Sequence, residues 1–598
     1  MQGQGEGLTD QLGKFLDRRW RLLIVLVWLL YAAWLIYARW NYITGFVLTD
    51  TDDNMRISQV RALLAGQDWY DLRQYRMNWP DGANMHWSRL VDLPLAGLIL
   101  LGRTFMTGPQ AEQMAVAVAP LVPLLLLLVS VTLTVRRLIA PAAWPLAVVC
   151  LFFAGSTMGM FQPTRIDHHN WQLALLALGV TGIADPRRAR GGATLGIATA
   201  LSLSIGLEML IYLLLGAGAM VLFWIHDAGE RRRLATYAAA MAGGTGLGFL
   251  IFASNANRLA VCDALSPVWL SDALLGGALL LALAAWSPAK WQYRLGGAAV
   301  AGAVVAAFHA LAWPHCLSRL EGVSPELYDL WLSHVREARP IYRHGWRTAT
   351  AVLGVPVAGL IGWGVLAWTA RADWQRLQRI LGAMLPAFAA LALLFWQTRT
   401  GPAAQMLAIP GAVALVWYLA PRAFRSDNTF VRVIGTSLIV LTGLGAAVPL
   451  VLDSVPRKPS TAREGAIANA NNNCPSLWAM KPVAEQPKGT VFTFGDLAPR
   501  VISVTHHRSI IGPYHRNGPQ ILDMMHAFRG SPEQARAIIA KYKADYLLIC
   551  PMMSQSTVFK AEAPNGFYAQ LDKGQVPAWL QPIDLGPNNP MKMWRVVN

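Results

Sequence analysis

Arg165-Ile166-Asp167-His168-His169 lies between two apolar runs, 141–161 and 170–184, and the side of a membrane it faces decides how the chain is read. Working outward, further apolar stretches recur, Leu22–Tyr37 and Leu121–Val135 among them, long enough for membrane helices of about 20 residues. Of the 598 residues 54% are hydrophobic and only 14% charged, against about 25% charged in a soluble domain. The chain therefore reads as a polytopic membrane protein. Its net charge of +17 sits largely in short clusters between apolar runs, the pattern of cytoplasmic loops. No basic patch interleaved with aromatics accompanies it, so nucleic acid is excluded as a partner. Neither a Gly-rich phosphate loop nor a dinucleotide fingerprint is present, which removes soluble nucleotide cofactors.

Keeping the basic clusters inside fixes the topology. Lys14, Arg18, Arg19 and Arg21 precede the first run, whose end at Ala38-Arg39-Trp40 offers no small-residue cleavage site. Segment 20–40 reads as an uncleaved first span with a cytoplasmic N-terminus. Leu90–Met106, interrupted by Asp92, Pro94 and Arg103, reads as an interfacial helix, because counting it as a span would place Arg136-Arg137 outside. Spans follow at 113–135, 141–161, 170–184, 192–206, 209–225, 234–253, 267–286, 295–313, 347–370, 380–396, 402–420 and 431–452, about thirteen in all. An odd count puts the tail outside. The expected architecture is an all-α polytopic membrane domain over 1–452 and a small α/β domain over 453–598, in a bacterial inner membrane with the tail in the periplasm. In the tail, Thr490–Phe494, Ser509–Gly512, Tyr546–Cys550 and Met593–Val597 read as strands, Gln520–Phe528 and Pro532–Lys541 as helices. Four of five cysteines fall outside, where disulfides persist. Cys262–Cys316 and Cys474–Cys550 are the candidate pairs and four free thiols the alternative; Cys150 reads as packing within a span.

Four features collect on the outer face. In Thr49-Asp50-Thr51-Asp52-Asp53-Asn54-Met55-Arg56, one acid suffices to cap the following helix, and the surplus of clustered carboxylates suits a hard divalent cation. In Arg165-Ile166-Asp167-His168-His169, an Asp and a His two residues apart can both ligand a metal, and an imidazole suits Mn better than Ca. Val335-Arg336-Glu337-Ala338-Arg339-Pro340, alone, resembles a surface ion pair of small value. Arg399, in Trp396-Gln397-Thr398-Arg399, either snorkels at a membrane edge or grips phosphate. Glu208, in a tight outer turn, pairs with a neighbouring Arg or His or else joins the site.

In this order the four features resemble the catalytic subunit of oligosaccharyltransferase and its single-chain bacterial and archaeal relatives, GT-C proteins with thirteen spans and an outer C-terminal domain. Asp52-Asp53-Asn54-Met55-Arg56 with Leu63-Leu64-Ala65-Gly66 looks like the family's first acidic motif, and Trp79-Pro80-Asp81-Gly82-Ala83 with His86-Trp87 and Asp92 looks like its first-loop segment. Arg165–His169 is similar to the second motif, with Asp167 and His169 in metal-ligand positions. Val335–Pro340 is similar to the mobile-loop motif whose Glu completes the metal site, and Arg399 stands where the family's arginine holds the donor phosphate. The likeness covers about 20–420. Asp50, Asp52 and Asp53 are alternative equivalents of the first acid, helix register favouring Asp52; His168 and Glu208 are secondary candidates. The family's Trp-Trp-Asp-x-Gly run has no counterpart after residue 453; Tyr514-His515-Arg516-Asn517 is the expected acceptor-binding element instead.

The resemblance implies an inverting transfer of a sugar or oligosaccharide from a polyprenyl (pyro)phosphate to a glycan, lipid or protein acceptor. A divalent cation, Mn or Mg, is expected on Asp52, Asp167, His169 and Glu337, with Asp52, Asp167 and Glu337 catalytic. The competing readings are protein N-glycosylation with a divergent acceptor reader and, outside enzymes, a lipid-linked glycan flippase. Against the last, the acids sit at span ends and no repeated halves appear.

Overall fold

Apolar length dominates the first three quarters of the chain. In a computed structural model that describes residues 8–318, 322–457 and 459–597, eight helices are long and apolar enough to cross a membrane, from Gln11–Ala38 to Thr398–Phe424, or up to ten if each of two bent pairs is one span. The protein is a multi-pass membrane protein. Three further expected spans form helices that miss this mark. His169–Ile183 lies almost wholly inside the bundle and Arg188–Ile205 is mostly buried, with Ile197 exposed, while Leu210–His226 is apolar but short. Small residues bring Arg188–Ile205 against Arg231–Phe252: a Cβ on Gly192 would stand 2.1 Å from the Arg233 carbonyl.

Two expected straight spans are broken. Trp144–Phe153 turns by 76° into Gly155–Phe161, and Val431–Gly443 by 98° into Ala447–Ser454. At the first break the freed Ser156 and Thr157 N–H groups donate to Gln405 Oε1 at 2.8 and 3.4 Å, and Thr157 Oγ1 donates to the Pro402 carbonyl at 2.7 Å. At the second, Gly445 takes φ +80°, a conformation side chains resist. Arg89–Gly102 is a helix of 14 residues folded back on Gly108–Val118, too short to be a span, as its charges suggested.

The first loop carries a small ribbon, β1 (Arg73–Gln74) against β2 (Ala83–Asn84). The tail forms a five-stranded sheet of β3 (Thr490–Phe492), β4 (Arg508–Ser509), β5 (Tyr546–Ile549), β6 (Leu580–Ile583) and β7 (Lys592–Val596), in the order β4-β3-β5-β7-β6. The first three in that order are parallel, and β7 runs antiparallel to β5 and to β6. Gly518–Arg529 and Pro532–Lys541 are helices, as read; β6, whose alternation is weak, was not anticipated. Phe492, Phe494, Phe528, Phe559 and Phe567 fill the core. Cys474–Cys550 staples this layer and Cys262–Cys316 ties two loops, while Cys150 is free and buried.

The tail is joined to the first loop by backbone pairing. Asn78 N–H donates to the Ser509 carbonyl at 2.9 Å and Ser509 N–H to the Arg76 carbonyl at 2.8 Å. The Arg76 guanidinium donates to the carbonyls of Thr505 and His507 at 2.6 and 2.7 Å.

Candidate active site

Helix Thr51–Leu64 opens on a capping box that settles the roles of its acids. Asp50 is the N-cap and accepts from Thr51 N–H at 2.6 Å, while Asp53 Oδ2 accepts from Asp50 N–H at 2.9 Å. Asp53 Oδ1 also accepts from the backbone N–H groups of Ile166 and Asp167, at 2.8 and 2.9 Å. One carboxylate thus closes the helix start and pins the second motif to it. Arg165 lies between the acids, its Nη1 2.6 Å from Asp50 and 3.4 Å from Asp53 and its Nη2 3.5 Å from Asp167. Burial nevertheless pushes Asp53 up to about 7, Arg165 only partly offsetting it. Burial also opposes charge on Asp50, but Arg165 outweighs it and holds that carboxyl below its usual range.

Asp52, the favoured ligand, accepts no hydrogen bond among the described residues. Burial, then the charges of Asp167 and Asp50, disfavour its ionised form and lift it well above the ordinary carboxylate value. Asp167 is wired on both oxygens. Oδ1 accepts from His168 N–H at 2.5 Å and lies 2.6 Å from His168 Nδ1, and Oδ2 is hydrogen-bonded to His169 Nδ1. Asp167, His168 and His169 together are a group able to hold a metal ion.

His168 bridges two acids. Its Nε2 lies 2.9 Å from Glu208 Oε1, and Glu208 Oε2 accepts from Gln172 at 2.8 Å. Burial would lower the imidazole, but Asp167 and Glu208 raise it to about 10. Glu208 therefore has the histidine partner read for it. Arg56 packs behind this bridge, its Nη2 3.2 Å from His168 Nδ1 and its guanidinium over the Trp87 ring at 4.3 Å. Buried Asp92 holds Arg56 at 2.8 Å and Arg89 at 3.1 Å.

Glu337 and Arg399 are not brought to this cluster. Both are exposed, and neither side chain makes a hydrogen bond or ion pair among the described residues. Their segments instead meet each other: Thr398 N–H and Oγ1 donate to the Arg339 carbonyl at 2.8 and 2.6 Å, beside a cavity of about 690 Å³ lined by Tyr328, Arg339, Tyr342, Arg343 and Trp396. Arg399 lies in the 3-10 turn Thr398–Thr400 that leads into the helix whose Pro402 and Gln405 hold the bend at 155–157, so it sits at the bundle end from which the chain runs to Asp167.

The tail element does reach the site, with its polar groups already engaged. Tyr514 is buried edge-on to Trp87, and its hydroxyl donates to the Thr51 carbonyl at 3.1 Å. His515 and Arg516 both bind Asp263, and Asn517 donates to the Gly512 carbonyl at 3.5 Å. Tail helix Ala498–Val504 clamps the acidic helix from behind: Ser503 Oγ donates to Asn54 Oδ1 at 2.7 Å and Arg500 to the Phe46 carbonyl at 2.9 Å.

Sequence reasoning missed Asp496, which follows β3 in Phe494-Gly495-Asp496. Its carboxylate has no partner among the described residues, and burial, with the Asp50 charge added, lifts it to about 6. An acid just past the C-terminal end of a buried strand in a parallel set was the available signal. Asp263, next to Cys262, was passed over for the cysteine.

No family model and no curated protein matches the sequence. Solved structures do match. The archaeal oligosaccharyltransferase AglB from Archaeoglobus fulgidus, in complex with an inhibitory peptide and a dolichol-phosphate, is 14% identical with TM-score 0.66, over 95% of this chain and 73% of that one. The Archaeoglobus fulgidus enzyme tethered to an acceptor peptide containing the NVT sequon gives 16% and 0.63, over 90% and 69%. Its complex with Zn and sulfate gives 15% and 0.59, over 90% and 70%. At these identities the likeness speaks for architecture: the chain has the GT-C fold in its oligosaccharyltransferase-like form.

Proposed function

We propose that the chain is a membrane glycosyltransferase that transfers a sugar or oligosaccharide from a polyprenyl (pyro)phosphate donor, at the membrane face that carries the tail. The observation that carries this reading is the convergence of the Asp52 helix and the Asp167-His168-His169 turn, with one carboxylate left without a hydrogen bond. The donor set fits a divalent cation, Mn or Mg: Asp50 and Asp53 have Arg165 and backbone N–H groups as partners, whereas Asp52 has none, and burial and the Asp167 charge disfavour its ionised form unless a cation compensates it. Asp52, Asp167 and His169 would hold it, joined by Glu337 when the loop around 331–344 closes over a bound donor. When bound, the cation supplies positive charge against the departing phosphate.

The chain's own residues do the rest. Asp53 and Arg165 set the position of Asp167, and His168, held by Glu208, fixes its orientation. Arg399 holds the phosphate as a permanent cation. Asp52 or Glu337 accepts the proton of the acceptor hydroxyl, and attack opposite the leaving phosphate inverts the anomeric centre. Tyr514 and the tail wall off the rear of the acidic helix from water. Without a Trp-Trp-Asp-x-Gly run, the acceptor is a hydroxyl of a glycan or lipid in preference to a protein sequon, and Asp496, whose carboxylate lacks a partner and feels the Asp50 charge, is the tail group we assign to it.

The test is transfer by the detergent-purified chain, with lipid-linked sugars from an inner-membrane extract and Mn or Mg, read by mass spectrometry of lipid and product. Conversion without a membrane gradient, lost in Asp167→Ala, supports the enzyme. Movement of the intact lipid-linked glycan across vesicles, with no conversion, identifies a flippase and refutes the proposal.

A further inference from the structure

A second cluster of metal-ligating side chains shares no member with the Asp167 group and belongs to none of the steps above. His86 comes from the first loop, just ahead of helix Arg89–Gly102. Asp263 comes from the loop after Arg231–Phe252, beside the Cys262–Cys316 disulfide, and His515 from a 3-10 turn of the tail. Each offers one ligand atom, and the three atoms lie within 4.8 Å of one another. His515 Nε2 is 2.6 Å from Asp263 Oδ2, and the His86 and His515 ring centroids are 4.6 Å apart.

An ion-pair clasp alone explains part of this arrangement. Arg516 grips both oxygens of Asp263, Nε to Oδ2 at 2.7 Å and Nη2 to Oδ1 at 2.6 Å. That accounts for Asp263 and Arg516 but not for His86, whose Nδ1 is buried with no hydrogen-bond partner among the described residues. A buried nitrogen in that state is costly unless something else binds it. Two imidazoles and one carboxylate are a ligand set for zinc and its neighbours, with room for a fourth ligand, and a poor one for Mg or Ca. Arg516 then plays the part of a donor that orients a ligating carboxylate. The remaining group of this kind, Cys262, His315 and Cys316, is disqualified because its two sulfurs are joined to each other.

We propose that His86, Asp263 and His515 bind one transition-metal ion of the zinc class, which locks the tail to two loops of the membrane domain. This structural site is independent of the glycosyltransferase reading, and it is tested without measuring transfer. The full chain carrying Asp52→Asn and His169→Ala, so that the acidic cluster is disabled, is stripped with chelator, reloaded with Zn²⁺ alone and assayed for bound metal and for thermal unfolding. One retained equivalent, with a raised unfolding temperature, is expected. Adding His86→Gln or His515→Gln should abolish tight binding and remove the thermal shift, while Arg516→Gln, which removes an outer-shell partner only, should weaken binding by about 10–100-fold and still keep the metal. Because a site variant can fail to fold, Co²⁺ loaded into the unsubstituted site gives a second readout: visible bands of low-coordinate nitrogen ligation are expected. No bound Zn²⁺, binding unaltered by both His variants, or a Co²⁺ spectrum like that of the free ion would each overturn the proposal.

Discussion

Two neighbouring aspartates should respond to the same substitution in opposite ways. Asp53 accepts three backbone N–H groups, from Asp50, Ile166 and Asp167, and faces Arg165. A hydrogen bond to a charged group contributes about 1.5–3 kcal/mol. Asp53→Ala orphans all three donors, so a loss of roughly 3–6 kcal/mol is expected once non-additivity is allowed for. In Asp53→Asn the amide oxygen can still serve Ile166 and Asp167, but the NH2 meets two donors, Asp50 N–H and Arg165, and the expected loss is about 2–3 kcal/mol. Asp52 accepts nothing and is opposed by Asp167 and Asp50, so Asp52→Asn should stay within about 0.5 kcal/mol of the parent or stabilise it while abolishing transfer. The assay is thermal unfolding of the detergent-purified chain in chelator at a fixed scan rate, paired with the transfer reaction. It is run at about pH 8 so that Asp53, lifted by burial to about 7, is ionised. Equal unfolding temperatures for Asp53→Asn and the parent, or a fall in Asp52→Asn as large as in Asp53→Asn, would refute the division of labour between pin and ligand.

Further outcomes follow from the same contacts. Asp167→Ala and Glu337→Ala should each abolish transfer, the first also lowering the unfolding temperature because Asp167 pairs buried Arg165 and His168, and EDTA should stop turnover until Mn or Mg is restored, as product analysis will read; activity retained in both variants rejects the site. The His168 bridge, whose imidazole is raised from 6.5 to about 10 in the folded chain, contributes stability fully below about pH 6.5 and loses it as pH climbs toward 10. Unfolding in chelator across that range should therefore fall more steeply for the parent than for His168→Gln. Cys474–Cys550 closes a loop with a sequence separation of 76, so Cys550→Ser should cost about 4–5 kcal/mol on a chain-entropy basis, seen as early loss of protease resistance in the tail.

The residues that carry local information were legible. The run around Asp167 read as a candidate metal-binding turn because its candidate ligands are adjacent in sequence, and the structure brings them within reach of one another. The surplus of acids at 50–53 was readable too: one acid caps, a role the structure gives to Asp50, and register picked out Asp52, the acid left without a hydrogen bond. What sequence could not give was partnership over distance. Nothing near Arg56 announces Asp92, nothing near Arg516 announces Asp263, and Asp53 reads as a spare ligand until Ile166 and Asp167 are seen beside it. The two bends escaped for a related reason. Apolar composition records that 141–161 and 431–452 prefer lipid, while the acceptor that permits the first bend, Gln405, lies in another helix. Glu337 and Arg399 were read as partners of the cluster, and the described contacts instead join their segments to each other.

The clamp on the acidic helix also has a bearing on biogenesis. Asn54 and Thr51 meet Arg500, Ser503 and Tyr514 across 446 to 463 positions of chain. During synthesis the acids emerge early, but their supports leave the ribosome only after every membrane helix has been inserted. A nascent chain arrested short of residue 500 therefore displays the carboxylates without the wall behind them. Such a chain lacks every contact that ties Thr51 and Asn54 to the tail.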